Sequence, residues 1–394
     1  MVALPAGLES SVGAYAVDAS VRQLQRIPDL DAVALAARER QLQAYADTLT
    51  QHCDPARNPS SYRVCQASGR PAVDGLLLLA HAAKRSEARA SAAQALARLA
   101  FGCRENAAEV LCAGGLDAVF AKALRPIEKF QQQEEQLCAM LLLQALAAAA
   151  PEAPMLAQPL ASVAAVIFGE FDGLPPCVPV RVAGIEVLVS CTMSQQHRKQ
   201  VANLLPAPRL ARFMAEVQVP ESLGPAGPFS LGLLLANIAD LAGASGDDLA
   251  AGASLGFGEL AGDFWRRTGF FDALAGCLQA SLAAEQFPPQ SGIYHMPWKL
   301  ASTMLRLASA GYGRELAASL PLLRDLAAVG TRDAAEDLGA DEARAGRLAA
   351  DALHAAAAAA EEASDVAEHT EGPVYVHDLL VAAPLERLGQ PVAV

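Results

Sequence analysis

Arg104-Glu-Asn-Ala-Ala-Glu-Val-Leu-Cys-Ala-Gly-Gly-Leu-Asp-Ala-Val-Phe-Ala-Lys-Ala-Leu124, followed by a polar connector and the apolar run from Glu134 to Ala148, decides the fold. Its pattern predicts a short helix, a glycine break, a second helix, a connector and a long apolar third helix. Blocks of this composition recur about six times along the 394 residues. A period in this range predicts a solenoid, because a unit of this size buries its apolar face only against its neighbours.

The third helices give the register. Leu99, Leu146, Leu188, Ile238, Leu307 and Leu353 align, at spacings of 47, 42, 50, 69 and 46 residues. Three positions earlier stand Leu96, Leu143, Ile185, Leu235, Met304 and Ala350. Apolar residues three and four apart share one helix face, so these residues are expected in the core down to Leu307. The units run from Asn58 to Phe101, Gly102 to Ala148, Pro151 to Cys191, Thr192 to Leu241, Ala242 to Ala310 and Gly311 to about Ala360. The long spacing places extra residues in unit five, as an insert within 243–297 on both sides of the unit's second helix, in the Gly-rich stretch Gly243 to Gly262 and in Gln286 to Pro297. Gly69, Gly114 and Gly269 are expected to take positive φ in tight turns between helices. Pro71, Pro206 and Pro321 fit first helical turns, where no intrahelical N–H bond is lost.

Residues 1–57 read as a loose lead-in to about residue 18, then capping helices near Val21 to Arg26 and Asp31 to His52. Residues 58–360 hold the array. Residues 361–394 lose the pattern and form a partly ordered tail, either laid back on the last unit or read by another protein. Only Pro373-Val-Tyr-Val376 alternates like a strand.

These blocks resemble the armadillo repeat, with the two-helix HEAT repeat as near neighbour. The likeness lies in Asn106 before apolar residues, in Ala113-Gly114-Gly115-Leu116, and in a third helix closing Gln144-Ala-Leu-Ala; Asn58 to Gly69 and Phe264 to Leu278 are similar. The resemblance implies an all-α, right-handed α-solenoid of about six three-helix repeats. It also implies a groove lined by the third helices, where such proteins bind extended peptides. In nuclear-import adaptors that groove carries an asparagine ladder, each asparagine just before the aligned leucine. Here those positions hold Arg98, Ala145, Val187, Asn237, Arg306 and Ala352, so only Asn237 matches. The tryptophan positions hold Gln94, Leu141, Ala183, Leu233, Ser302 and Leu348, and none matches. A ladder of amides pairs with any ligand backbone; its loss argues against nuclear-signal recognition.

Composition narrows the function classes. A net charge of −13 argues against a general nucleic-acid surface. The eight cysteines are scattered without CxxC, so no metal site is expected and reduced thiols fit. The N-terminal residues lack a basic and then apolar leader, and Leu137 to Ala150 is too short to span a bilayer. A cytoplasmic protein is expected, with a nuclear or ciliary place open. Gly252 to Glu259 is neither preceded by a strand nor followed by GK[ST], and reads as a loop. Asp247-Asp248 reads as a helix cap. No nucleophile motif is recognised, so no catalytic residue and no cofactor are expected.

The expected function is a non-catalytic scaffold or adaptor that binds another protein or an extended peptide. The alternatives are a cytoskeletal or ciliary structural subunit and a regulatory subunit or all-α enzyme. The groove positions able to make specific contacts are Gln94, Arg98, Asn237, Asp240 and Arg306. The two arginines suggest a partner segment with carboxylates. Tyr294 and Trp298 form a second candidate, since aromatic side chains are enriched at binding hot spots.

Overall fold

A computed structural model describes residues 6–54, 58, 62–171, 174–216, 223–224, 226–243, 254–283, 297–316, 319–330 and 347–356. Among them every regular element is a helix. Their contacts divide the chain into two compact units. The first is built from residues 6–204 and 213–230, the second from 205–212, 231–283 and 297–356.

The first unit begins with α1 (Ala6–Leu24) and α2 (Ala32–His52). Residues 6–18, expected as a loose lead-in, are therefore helical. Val17, Val21 and Leu24 are buried at helical spacing, and their burial overrides the Gly and Ser content of the stretch. Asp31 starts α2 as an N-cap, its carboxylate accepting the Ala34 N–H at 2.7 Å. The block after it folds as α3 (Tyr62–Gly69), α4 (Val73–Ala82) and α5 (Ser86–Ala100). The quoted stretch folds as α6 (Arg104–Cys112), α7 (Leu116–Ala123) and α8 (Gln131–Ala149). The third block has α9 (Leu160–Ile167) and α10 (Val178–Cys191), with a single 3₁₀ turn, Pro154–Leu156, where its first helix was expected. Next comes α11 (Gln195–Leu204); α12 (Ala207–Glu216) and α13 (Gly227–Gly243) each contribute residues to both units.

In this unit α2, α5, α8 and α10 pack side by side in chain order. Hydrogen bonds between blocks recur at similar sequence separations. Lys84 N–H donates to Glu39 at 2.6 Å, Arg89 Nε to Glu135 at 2.6 Å, and Gln144 Nε2 to Glu186 at 2.8 Å, across 45, 46 and 42 residues. The Nδ1 of His197 lies 2.8 Å from Pro151 O, again 46 residues away. A polar knot ties α3 to α5 and α6. Asn106 Nδ2 donates to Leu99 O at 2.8 Å, and Gln66 Nε2 donates to the Tyr62 hydroxyl at 2.9 Å. Asn106 is 1 % exposed, so its amide can stay buried only because the Leu99 carbonyl accepts from it.

The second unit contains α14 (Ser254–Thr268), α15 (Phe270–Ala283), α16 (Pro297–Ser309) and α17 (Leu320–Gly330), with a further helical stretch at 347–356. The stretch Ser254 to Glu259, expected as loop, is thus the first turns of α14. Phe257, Ala261, Phe264 and Trp265 are buried at i, i+4, i+7 and i+8, and that apolar stripe outweighs the glycines. Trp265 is fully buried; its indole N–H donates to Gly232 O at 3.1 Å and its ring stacks on Phe270.

All ten expected core residues, from Leu96 through Leu307, are buried. The register slips in the last helix. There Ala349, Ala352 and Ala356 are buried while Leu353 is only half-buried, so the buried face is turned by one residue, about 100°.

Two of the three glycines depart from expectation. Gly269 takes positive φ, 62°, but at the next break it is Gly115, φ 109°, and not Gly114 that starts α7. Gly69 has an ordinary helical φ of −82°. Its role is spatial: a Cβ there would lie 2.7 Å from Leu99 Cδ2. Asp247-Asp248, residues 244–253 and 284–296 of the insert, and the tail 361–394 with Pro373 to Val376 lie outside the described residues.

Candidate functional site

A helix flanked on both sides in a layer exposes only one narrow stripe. On α5 the stripe includes Gln94 and Arg98, both half-buried, between fully buried turns. On α2 the corresponding residues are Ala44, Asp47, Thr48 and Gln51. Together with Thr50 and Asp54 they line an open cleft of about 470 Å³ between the two helices. The structure places Gln94 and Arg98 together in the lining of this cleft.

The electrostatics differ from the expectation. Arg98 lies 3.5 Å from Asp54, so its charge is offset within the chain. Asp47 adds a second carboxylate to the lining. The Thr48 hydroxyl is engaged by its own helix, donating to Ala44 O at 2.9 Å. What the cleft offers a ligand is mainly acceptor oxygen, not a bare guanidinium.

On α8 and α10 the exposed stripe lies one residue before the expected ladder positions. Ala145 and Val187 are buried, whereas Gln144 and Glu186 are half-buried and bonded to each other. Sequence alignment on the leucines missed both. A signal was present: Gln144 is the one polar residue in α8 after Gln136, and Glu186 is the one charged residue in α10 after Arg181. In such apolar helices, polar side chains mark the side away from the core.

The remaining candidates belong to the second unit. Asn237 is fully buried, and its Oδ1 accepts from the Thr303 hydroxyl at 2.7 Å. The lone match to the asparagine ladder therefore joins α13 to α16 inside the core and faces no groove. Asp240 and Arg306 are half-buried on the same two helices. Trp298 is 5 % exposed, with Lys299 Nζ 5.3 Å from its ring centroid. Its burial makes it a packing residue of α16 and removes it as a surface hot spot. Tyr294 lies outside the described residues. The aromatic cluster that the second unit does show, Trp265 with Phe270, Phe271 and Tyr312, was not singled out from sequence.

Among the described residues no helix is long and apolar enough to cross a membrane. Nor do three His, Cys, Asp or Glu side chains gather among them where a metal ion could be held. Burial pushes the thiols of Cys53, Cys138 and Cys191 up to about 12, which keeps them protonated and unreactive in the folded chain.

No protein-family model matches the chain, and no curated protein matches it. Solved structures that resemble it include three engineered proteins crystallised by the Northeast Structural Genomics Consortium. One is 18% identical with a TM-score of 0.43, over 72% of this chain and 97% of that one. A second is 17% identical with a TM-score of 0.39, over 73% and 98%. A third is 17% identical with a TM-score of 0.38, over 92% and 82%.

Proposed function

We propose that this chain is an armadillo-like α-solenoid scaffold that binds another protein along the stripe shared by α2, α5, α8 and α10. The observation that carries the reading is the side-by-side row of these helices, tied by hydrogen bonds 42 to 46 residues apart. A row built from such units presents a continuous surface without assembling a reaction centre. Its cleft and its half-exposed polar side chains, Gln94, Arg98, Gln144 and Glu186, supply contacts at successive units. The partner segment lies across the helices and meets each stripe in turn.

A photo-crosslinking amino acid placed at Gln94 or at Gln144 tests this in cells, with Glu105 on the exposed side of α6 as control. A discrete adduct from the first two positions and none from Glu105 is expected. Equal labelling from all three, or none from the stripe, rejects the face.

A further inference from the structure

The solvent side of α8 has an unusual composition. At about 100° per residue, Phe130, Glu134, Leu137, Leu141, Gln144 and Ala148 fall within one arc of roughly 80°. Cys138 packs with Ala90 and Ala93 of α5, and Met140 approaches Gly184 of α10. The arc therefore points away from both neighbours and from the core side chains Leu142, Leu143 and Leu146. Phe130 is 73% exposed, and Leu137 and Leu141 are half-exposed. A helix in a water-facing layer ordinarily turns charged residues outward; one that is apolar on both sides is covered on both sides.

The neighbouring cleft adds charge. Asp47 lies a turn and a half before the C-terminus of α2, and Asp54 lies two residues beyond it. The C-terminal end of a helix already carries partial negative charge and favours cations. Arg98 faces Asp54, and Asp47 lines the same cleft.

Resting on the scaffold reading above, we infer that this surface takes an extended segment of a partner protein with two features: apolar side chains that cover Phe130, Leu137 and Leu141, and a cationic side chain that enters the α2–α5 cleft beside Asp47. The spacing follows from the layer. Two helix-to-helix steps of about 8–10 Å separate α2 from α8. An extended chain rises about 3.3 Å per residue, so the cation and the anchors Leu137 and Leu141 stand roughly five or six residues apart, while Phe130, two turns earlier on α8, lies about a further 10 Å along that helix. The arginines of the notional groove had suggested a carboxylate-bearing partner; the Arg98–Asp54 pair reverses that sign in the first unit.

The test is selection from a random twelve-residue peptide phage library against the full-length chain, then fluorescence anisotropy with the synthetic winners. Winners are expected to carry two or more large apolar residues with an Arg or Lys five or six positions away. Their affinity should fall at least tenfold for Phe130→Glu, and also for Asp47→Lys. Both positions are exposed, so the fold survives, and circular dichroism checks this; Leu141→Gln provides a milder third variant. No enrichment, acidic winners, or winners indifferent to Phe130→Glu and Leu141→Gln would overturn the inference. So would a wild-type dimer in light scattering that Phe130→Glu converts to monomer, since a second copy would then cover the stripe. A crosslinked partner at Gln94 combined with indifferent peptides would sink this inference and leave the scaffold reading standing.

Discussion

Arg89 and Glu135 form a two-pronged ion pair inside the first unit. Nε and Nη2 of the guanidinium reach Oε1 and Oε2 of the carboxylate, each at 2.6 Å, with the residues 5 % and 4 % exposed. The same guanidinium donates through Nη1 to Ala83 O and Lys84 O at 2.9 and 2.8 Å. Lys122 Nζ donates to His81 O at 2.9 Å, and Glu39 accepts the Lys84 N–H. Charged side chains from α2, α5 and α7 thus satisfy backbone groups of the turn between α4 and α5, and Glu135 of α8 holds Arg89 in place to do so.

Breaking this pair leaves a buried charge without its partner. Glu135→Leu should cost about 3–5 kcal/mol, as single removals from buried pairs do. The double variant Arg89→Met with Glu135→Leu should recover much of that loss. Urea unfolding of the three proteins measures it; a double variant no more stable than Glu135→Leu would show that the backbone contacts of Arg89 matter more than the pair.

Leu146 is fully buried in α8. Leu146→Ala should lower stability by about 2–5 kcal/mol, through lost burial and the cavity left behind. Leu353→Ala, at the half-buried position of the last helix, should cost distinctly less. Equal losses in a chemical melt would contradict the shifted register there.

Gly69→Ala and Gly114→Ala separate space from conformation. The added Cβ at Gly69 meets Leu99 Cδ2 at 2.7 Å and should cost about 1–3 kcal/mol as overpacking. At Gly114 nothing lies within 4 Å, so the change should stay within about 0.5 kcal/mol. Thermal melts distinguish them, and a reversed order would reject the assignment of the break to Gly115.

The buried thiols predict a pH dependence. Burial first, then Cys65 for Cys53 and Glu134 for Cys138, raises these thiols from 9.0 to about 12; for Cys191 burial acts alone. The folded state therefore holds protons that the unfolded chain releases. This contribution is fully present below pH 9 and is lost as pH rises between 9 and about 12. Urea midpoints should fall across that window, less steeply in Cys191→Ala. Ellman's reagent at pH 8 should label exposed Cys112 at once and these three only on unfolding. Rapid labelling of Cys191 in the native protein would contradict its burial.

Much of the helical layout could be read directly. The leucine register places Leu96 to Leu307 inside because helix burial is a local, periodic property that apolar residues record. The stripe was harder. Gln94 and Arg98, polar residues at the aligned positions of unit one, are half-buried and line the cleft. Gln144 and Glu186 were missed because the exposed face of α8 and α10 turns by one residue, and alignment on buried leucines does not report rotation. The start of α14 reads as loop by its glycine content, whereas its apolar spacing from Phe257 to Trp265 is helical.

By itself the sequence determined the helical character of the described residues and the leucines that they bury, because period and side-chain polarity act within a few turns of one helix. Tertiary structure decided what each polar residue does. Asn237 is a buried acceptor because Thr303, 66 residues away, donates to it. Arg98 is offset because Asp54 lies across the cleft. Trp298 is buried by its packing, and Gly69 is needed for the room that Leu99 takes. Each of these roles depends on a partner brought near by packing, and no periodicity in the chain encodes that proximity.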